Sequence, residues 1–365
     1  MLKITSPFHG AVLTYRNGVV SASSLTIQVE GIATLAAVVK VNGVVAKRDG
    51  ERFFAPLEIR DFRTPIVAEM ETGSGTVSHS IEVVWDKNSF KRYRFSIDDN
   101  VFWLRNLMQE KPKCINDNLY LGQLKKLHDN FGVKFTLNLF YETPEKDFNL
   151  SMMSDEWKAQ LQENAEWMRL TWHARNEFPD RPYQYATAEQ FEKDYEQIHS
   201  EVVRFAGEEC WIPPTIVHWC EFPPQLFPLL YQKGTRCLSG YFIKSESGDR
   251  YDISYEMDAE RCAYLETHDA LMDFRSGICL SRTDIIFNNT PVEQVIPTLA
   301  PQLENNDTAE YIDLLTHEQY FWPFYFNFRP DHYERIATGL KFLNDHGYKP
   351  VWQHEGFRGA PEFNA

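Results

Sequence analysis

Residues 92–99 read RYRFSIDD, a short run that closes on two adjacent carboxylates. RYRFSID reads as a β-strand, and the alternation of helices and strands downstream of it sets the fold class. Tyr120, Leu124, Leu127 and Phe131 recur at helical spacing, with Gly132 as a C-terminal stop. VKFTLNLFY (133–141) is the next strand, and a helix carrying Trp157, Leu161 and Met168 leads to LTWHA (170–174). Thr187 and Gln190 form a capping box ahead of a long helix with Phe191, Tyr195, Ile198, Val202 and Phe205 on one stripe. TIVHW (215–219), CLSGYF (237–242), YIDLLTH (311–317) and KPVWQH (349–354) continue the strands. Thr290, Pro291 and Glu293 open one further helix, and Tyr333, Ile336, Leu340 and Leu343 mark the last. Seven or eight strand–helix units point to a closed or nearly closed (β/α)7-8 barrel. Residues 240–257 break the alternation and read as a hairpin turning at Ser247-Gly248, placed to rim a pocket.

Upstream of residue 88 the pattern is different. SLTIQVEG (24–31) puts Leu25, Ile27 and Val29 on one face, and residues 36–50 form a hairpin around Asn42-Gly43. RFFAPLEI, TPIVAEMET and SHSIEVVWD add further strands, and no helical period intervenes. About seven short strands in this stretch predict an all-β immunoglobulin-like sandwich over 1–88. The chain is therefore read as multidomain, with residues 89–365 forming an α/β barrel packed directly against the sandwich. The strand series resembles the accessory sandwich modules of carbohydrate-active enzymes.

The formal charge of −15, with no basic run, disfavours a nucleic-acid partner. No segment has the length and apolarity of a membrane span or a signal peptide, so no membrane partner and a cytoplasmic location are expected. The six cysteines show no paired spacing and read as free thiols. An aromatic share of 14% suits a carbohydrate partner, since aromatic faces stack on pyranose rings. A homo-oligomer is compatible with all of this.

In parallel barrels the working residues sit at the C-terminal ends of the strands. Here those ends carry Asp98-Asp99, Asn138 through Tyr141 to Glu142, His173, His218-Trp219 with Glu221 beyond, and His317-Glu318. Three of the 11 histidines fall at such ends. Carboxylates and imidazoles that converge on one mouth can hold a divalent metal, supply acid and base, or do both. Tyr141, Trp219, Glu221 and Glu318 are candidate substrate contacts. The plain alternative for Asp98-Asp99-Asn100 is that they cap a helix beginning near Val101.

The order of these elements resembles the NodB-type polysaccharide deacetylases of carbohydrate esterase family 4. Their first motif, a strand ending in Asp-Asp, is matched by Asp98 and Asp99. The resemblance implies that Asp98 is the catalytic base and Asp99 a metal ligand. Their second motif, His-x-x-x-His, is matched at His173, but Glu177 stands in the second histidine's place. His218 or Glu177 is then the third ligand. Their last motif, a hydrophobic strand ending in the general acid, is matched by DLLTHE at His317. Arg181-Pro182-Tyr183 looks like a further motif lying unusually close to His173, and Asn100 replaces the glycine that usually comes after the Asp pair. The implied function is removal of an acetyl group from a carbohydrate, assisted by a divalent metal such as zinc.

Two other readings remain open from the residues alone. One is a glycoside hydrolase that pairs Asp98 with Glu221 or Glu318 and uses no metal. The other is a carbohydrate-binding protein that has lost catalysis, which the incomplete second motif favours.

Overall fold

The structure is a computed structural model describing residues 1–34, 37–245, 247–248 and 250–353. It is a mixed α/β protein built on several sheets. Leu2–Ser6, Val19–Val20, Leu25–Ala33, Lys47–Asp49 and Arg52–Ile59 form one five-stranded sheet. Val12–Leu13, Val39–Val41, Val44–Val45, Arg63–Thr72 and Gly75–Trp85 form a second. Strand periodicity explains their shared interior, because alternate residues of each strand face inward. Leu25, Ile27 and Val29 from the first sheet pack in one apolar cluster with Ile66, Ala68, Met70 and Val83 from the second. The Asn42-Gly43 turn closes the Val39–Val41/Val44–Val45 hairpin with both residues at positive φ, 46° and 84°.

These sheets dock on the rest of the chain through specific contacts. Arg16 donates to Glu310 at 2.8 Å, the Met272 N–H donates to the Gly10 carbonyl, and Phe8 stacks on Tyr264. Arg92 bonds Asp86 at 2.8 Å with both side chains out of solvent, so the chain passes the junction under a buried ion pair.

Beyond the junction Arg92–Asn100 is a central strand. Phe135–Phe140 and Met168–Ala174 lie parallel on one side of it, Tyr311–His317 and Ile285–Ile286 on the other. Tyr93, Phe95 and Ile97 enter the main apolar core. The intervening Arg94, Ser96 and Asp98 are equally buried but polar. They belong to a polar interior in which Arg94 is ion-paired with Asp313 at 2.6 Å and Asp313 accepts hydrogen bonds from Ser239 and Ser281.

The expected ring of seven or eight strand–helix units takes a less regular form. Cys237–Gly240 and Ile278–Arg282 run parallel in a separate three-stranded sheet with antiparallel Ala270–Asp273. Residues 211–217 run between the two sheets as irregular chain. The Ile212 N–H donates to the Leu170 carbonyl and the Ser239 N–H to that of Thr215. The expected strand at 215–219 does not form: the bridge at Trp211 ends at Pro213 and Pro214, which have no N–H to carry it on, and the chain turns at His218. His218–Cys220 instead makes a short turn in which Trp219 and Cys220 take positive φ. The helix expected to reach Met168 also stops early, at Glu163, and Met168 opens the next strand. The hairpin after residue 240 forms, pairing Ile243–Lys244 with Tyr251–Asp252.

The helix Phe102–Glu110 starts on Val101, which provides no side-chain cap. Asp98, Asp99 and Asn100 therefore do not cap it. Its first N–H groups go to a residue more than two hundred positions away: Val101, Phe102 and Trp103 all donate to the carboxylate of Glu318, at 2.5–2.9 Å. Trp322 Nε1 completes the set at 2.9 Å. A helix N-terminus carries partial positive charge, so a carboxylate there satisfies both the orphan donors and the dipole. Glu318 is fully buried with all its bonds directed at protein, and the expectation that it contacts substrate is corrected on that ground. Glu318→Ala should cost roughly 2–4 kcal/mol in urea unfolding, because it strands buried donors, and Glu318→Gln should cost less. A loss under about 0.5 kcal/mol, the level of an ordinary surface change, would contradict the assigned role.

Candidate functional site

The strand that carries the Asp pair loses its regular ladder at the pair. Its register with Phe135–Phe140 shifts between Ile97 and Asn100, and Asp99 sits at φ 63°. That left-handed conformation is rare for a residue with a Cβ and recurs where function demands it. Asn100 braces the bulge, donating to the Ile97 carbonyl at 2.6 Å and accepting from Tyr120 at 2.7 Å. A glycine there could not make those bonds.

The bulge turns Asp98 and Asp99 toward different neighbours. Asp98 Oδ1 accepts from Ser96 and from Asn138 Nδ2, each at 2.8 Å, while Oδ2 lies 3.9 Å from His173 Nε2. Asp99 Oδ1 lies 3.2 Å from His173 Nε2 and 3.3 Å from His218 Nδ1. Those two ring nitrogens are 3.2 Å apart. His173 is oriented by its other nitrogen, which donates to the Ile216 carbonyl at 3.1 Å. His317 stands beside Asp98 because the two are register partners on adjacent parallel strands. Its Nδ1 meets Asn288 Oδ1 at 2.9 Å and its Nε2 lies 4.0 Å from Asp99 Oδ2.

The charges of this group are set by burial and proximity. Burial alone would raise the Asp99 carboxyl, but His173 and His218, with His317 behind them, hold it well below the usual range. Burial would lower His173, yet Asp98 and Asp99 outweigh it and raise that imidazole. His218 is lowered, burial prevailing over the pull of Asp99. An ionised carboxylate thus faces two imidazoles across about one ligand-to-ligand spacing.

Asp99, His173 and His218 fit a metal ion. They offer one oxygen and two nitrogens, a donor set common for zinc. Bonds of about 2.0–2.1 Å at tetrahedral angles would set ligand atoms roughly 3.3 Å apart. The three observed separations all lie close to that. Asp99 Oδ1 is also buried without a well-formed hydrogen bond, an acceptor at the convergence point that lacks a donor. Glu177 is not in the group, so geometry favours His218 for the third position. Glu177 is half-buried nearby, and burial, with the Asp99 charge second, pushes it up to about 7.

The remaining candidates separate by placement. Trp219 is 40% exposed, with the Arg181 guanidinium 5.4 Å from its ring. Arg181 grips Asp252 of the inserted hairpin with two bonds, 2.6 and 2.8 Å, and also reaches Glu221 at 3.2 Å. Glu221 is buried against that arginine, and burial pushes it up to about 7. Tyr141 belongs to the apolar core, with the Arg175 guanidinium 5.0 Å from its ring. Glu318 is engaged as a cap and Glu221 is held by Arg181.

Three amides in the site had no role assigned from sequence: Asn138, Asn288 and Gln319. Asn138 left a readable signal, an amide inside the mostly apolar run FTLNLF. Gln319, two residues beyond His317, donates to Asp99 Oδ2 at 2.9 Å. Asn288 lies on a short turn with no distinguishing pattern.

No family model matches the chain, and no curated protein matches it. Among solved structures it is similar to a CE4 family pseudoenzyme from Bacillus anthracis, at 8% identity and TM-score 0.34, covering 79% of this chain and 83% of that one. It is also similar to a modular endo-β-1,4-mannanase from Cellulomonas fimi, at 20% identity and TM-score 0.17, covering 23% of this chain and 18% of that one. An engineered protein matches at 20% identity and TM-score 0.16, over 23% of this chain and 20% of its own. At these scores none of the three carries a functional argument.

Proposed function

We propose that the chain is a metal-dependent hydrolase that removes an acetyl group from a carbohydrate, with an N-terminal immunoglobulin-like sandwich supporting a deacetylase-like barrel. The observation that carries this reading is the meeting of a carboxylate–imidazole triad with a free carboxylate oxygen and a free imidazole nitrogen. Asp99, His173 and His218 would hold a divalent cation, zinc by donor set, which when bound supplies Lewis acidity to the acyl oxygen and the attacking water.

The other roles fall to the chain's own atoms. Ser96 and Asn138 occupy Asp98 Oδ1, leaving Oδ2 to take a proton from water. The water oxygen bonds to the acyl carbon, and that carbon's bond to the sugar nitrogen or oxygen breaks. Asn288 accepts from His317 Nδ1–H, so that in the doubly protonated ring the opposite Nε2–H faces the departing atom and gives up its proton there, returning His317 to the neutral form. Trp219, exposed beside His218, offers a face for a sugar ring.

Purified wild type should carry near-stoichiometric metal, and Asp99→Ala, His173→Ala and His218→Ala should lose it while Glu177→Ala keeps it, by elemental analysis. Absence of metal after Zn²⁺, Mn²⁺ or Co²⁺ is supplied would overturn the reading. In the metal-loaded protein, Asp98→Asn and His317→Ala should retain the ion. Each should release acetate from N-acetylated or O-acetylated oligosaccharides roughly 10²–10⁴-fold more slowly. Chelation should abolish release by wild type.

A further inference from the structure

We propose that Gln319 is a positioning residue that assigns the two oxygens of Asp99 to different tasks, an inference that rests on the metal site proposed above. Oδ1 faces both imidazoles, at 3.2 and 3.3 Å. Oδ2 accepts from Gln319 Nε2 at 2.9 Å. The amide's orientation is dictated by chemistry, since an ionised carboxylate only accepts and so must meet the NH₂ end. Gln319 is 4% exposed and sits on the turn Glu318–Phe321, whose first residue is pinned under the N-terminus of helix Phe102–Glu110. The donor is therefore anchored from behind.

This bond acts on the site in two ways. A donor on Oδ2 withdraws that oxygen from the cation, so Asp99 serves as a one-oxygen ligand and leaves room for water and substrate. The same bond also competes with His317, whose Nε2 is 4.0 Å from Oδ2. With Oδ2 occupied by the amide, His317 is kept from settling into an ion pair with Asp99 and stays free to face a leaving group. A neutral amide does this without cancelling the carboxylate's charge, as an arginine or lysine would.

Gln319→Met keeps the side-chain length and removes the donor, and Gln319→Leu serves as a second variant should the first not fold. Three measurements on the full chain decide the matter: Zn²⁺ affinity of the apoprotein by competition with a chromophoric chelator, the visible spectrum with Co²⁺, and thermal unfolding of the apoprotein. Zn²⁺ affinity should fall roughly 10–100-fold, the loss usual for a residue that orients a ligand. The Co²⁺ bands should weaken as the released Oδ2 joins the ion and raises its coordination number, while apoprotein unfolding stays where it is in wild type. A variant that binds Zn²⁺ within twofold of wild type, with the same Co²⁺ spectrum, overturns the role of Gln319 and leaves the metal site standing. Affinity lost only in step with apoprotein stability also overturns it, since the residue would then be structural. A wild type that binds neither ion overturns the metal site itself, and this inference with it.

Discussion

The arrangement depends on one carboxylate placed under a helix that belongs to another part of the chain. Glu318 accepts the first three N–H groups of the helix just beyond the Asp pair, and so fastens the end of strand Tyr311–His317 to the end of strand Arg92–Asn100. His317 and Gln319 flank it in sequence. Three consecutive residues therefore supply an imidazole, a structural clamp and an amide, and the clamp sets the reach of the other two. Parallel pairing aligns Asp98 with His317, but register alone does not hold loops beyond the strand ends. A buried carboxyl group with four directed bonds does, because any displacement leaves donors unpaired in a medium that punishes it.

The same logic extends down the interior. Asp313, ion-paired with Arg94 and hydrogen-bonded by Ser239 and Ser281, forms a buried polar group below the site, with Arg94 on the same strand as Ser96 and Asp98. An apolar filling of similar volume is often as stable as such a pair or more so. What polar filling adds is orientation: Ser96 and Asn138 choose which oxygen of Asp98 is left free. Asn138 in turn accepts from Thr215 at 3.3 Å, which ties the irregular segment before His218 to strand Phe135–Phe140, whose Asn138 orients Asp98.

The regular parts of the molecule were legible in sequence because they obey a period. Alternation exposed the strand at 92–98, Asn42-Gly43 gave its hairpin, and Thr187 gave the start of the helix Ala188–Phe205, accepting from the Gln190 N–H. The strand ends then brought Asp98, Asp99, His173, His218 and His317 together as candidates. What escaped lies where local pattern and tertiary demand part company. TIVHW has the composition of a strand, but Pro213-Pro214 upstream and the turn at Trp219 draw it out of the ladder. Glu318 reads as one more acid at a strand end, and nothing nearby in sequence reveals that its donors lie more than two hundred residues earlier. Gln319 and Asn288 act through single contacts that no periodicity encodes.

A last regularity is the sign of the groups that orient the site. Ser96 and Asn138 hold Asp98, Gln319 holds Asp99, Asn288 holds His317, and a backbone carbonyl holds His173. All of them are neutral. Arg181, the nearby cation, is engaged by Asp252 and Glu221 at the rim. Two buried carboxylates placed side by side repel unless a positive charge is supplied between them. A guanidinium or ammonium would supply it permanently and compete with any incoming cation. Neutral donors orient each oxygen and nitrogen, while Arg94, the buried cation two residues before Asp98 on the same strand, is paired with Asp313. On the proposed function, a divalent ion held by Asp99, His173 and His218 would supply positive charge between these carboxylates.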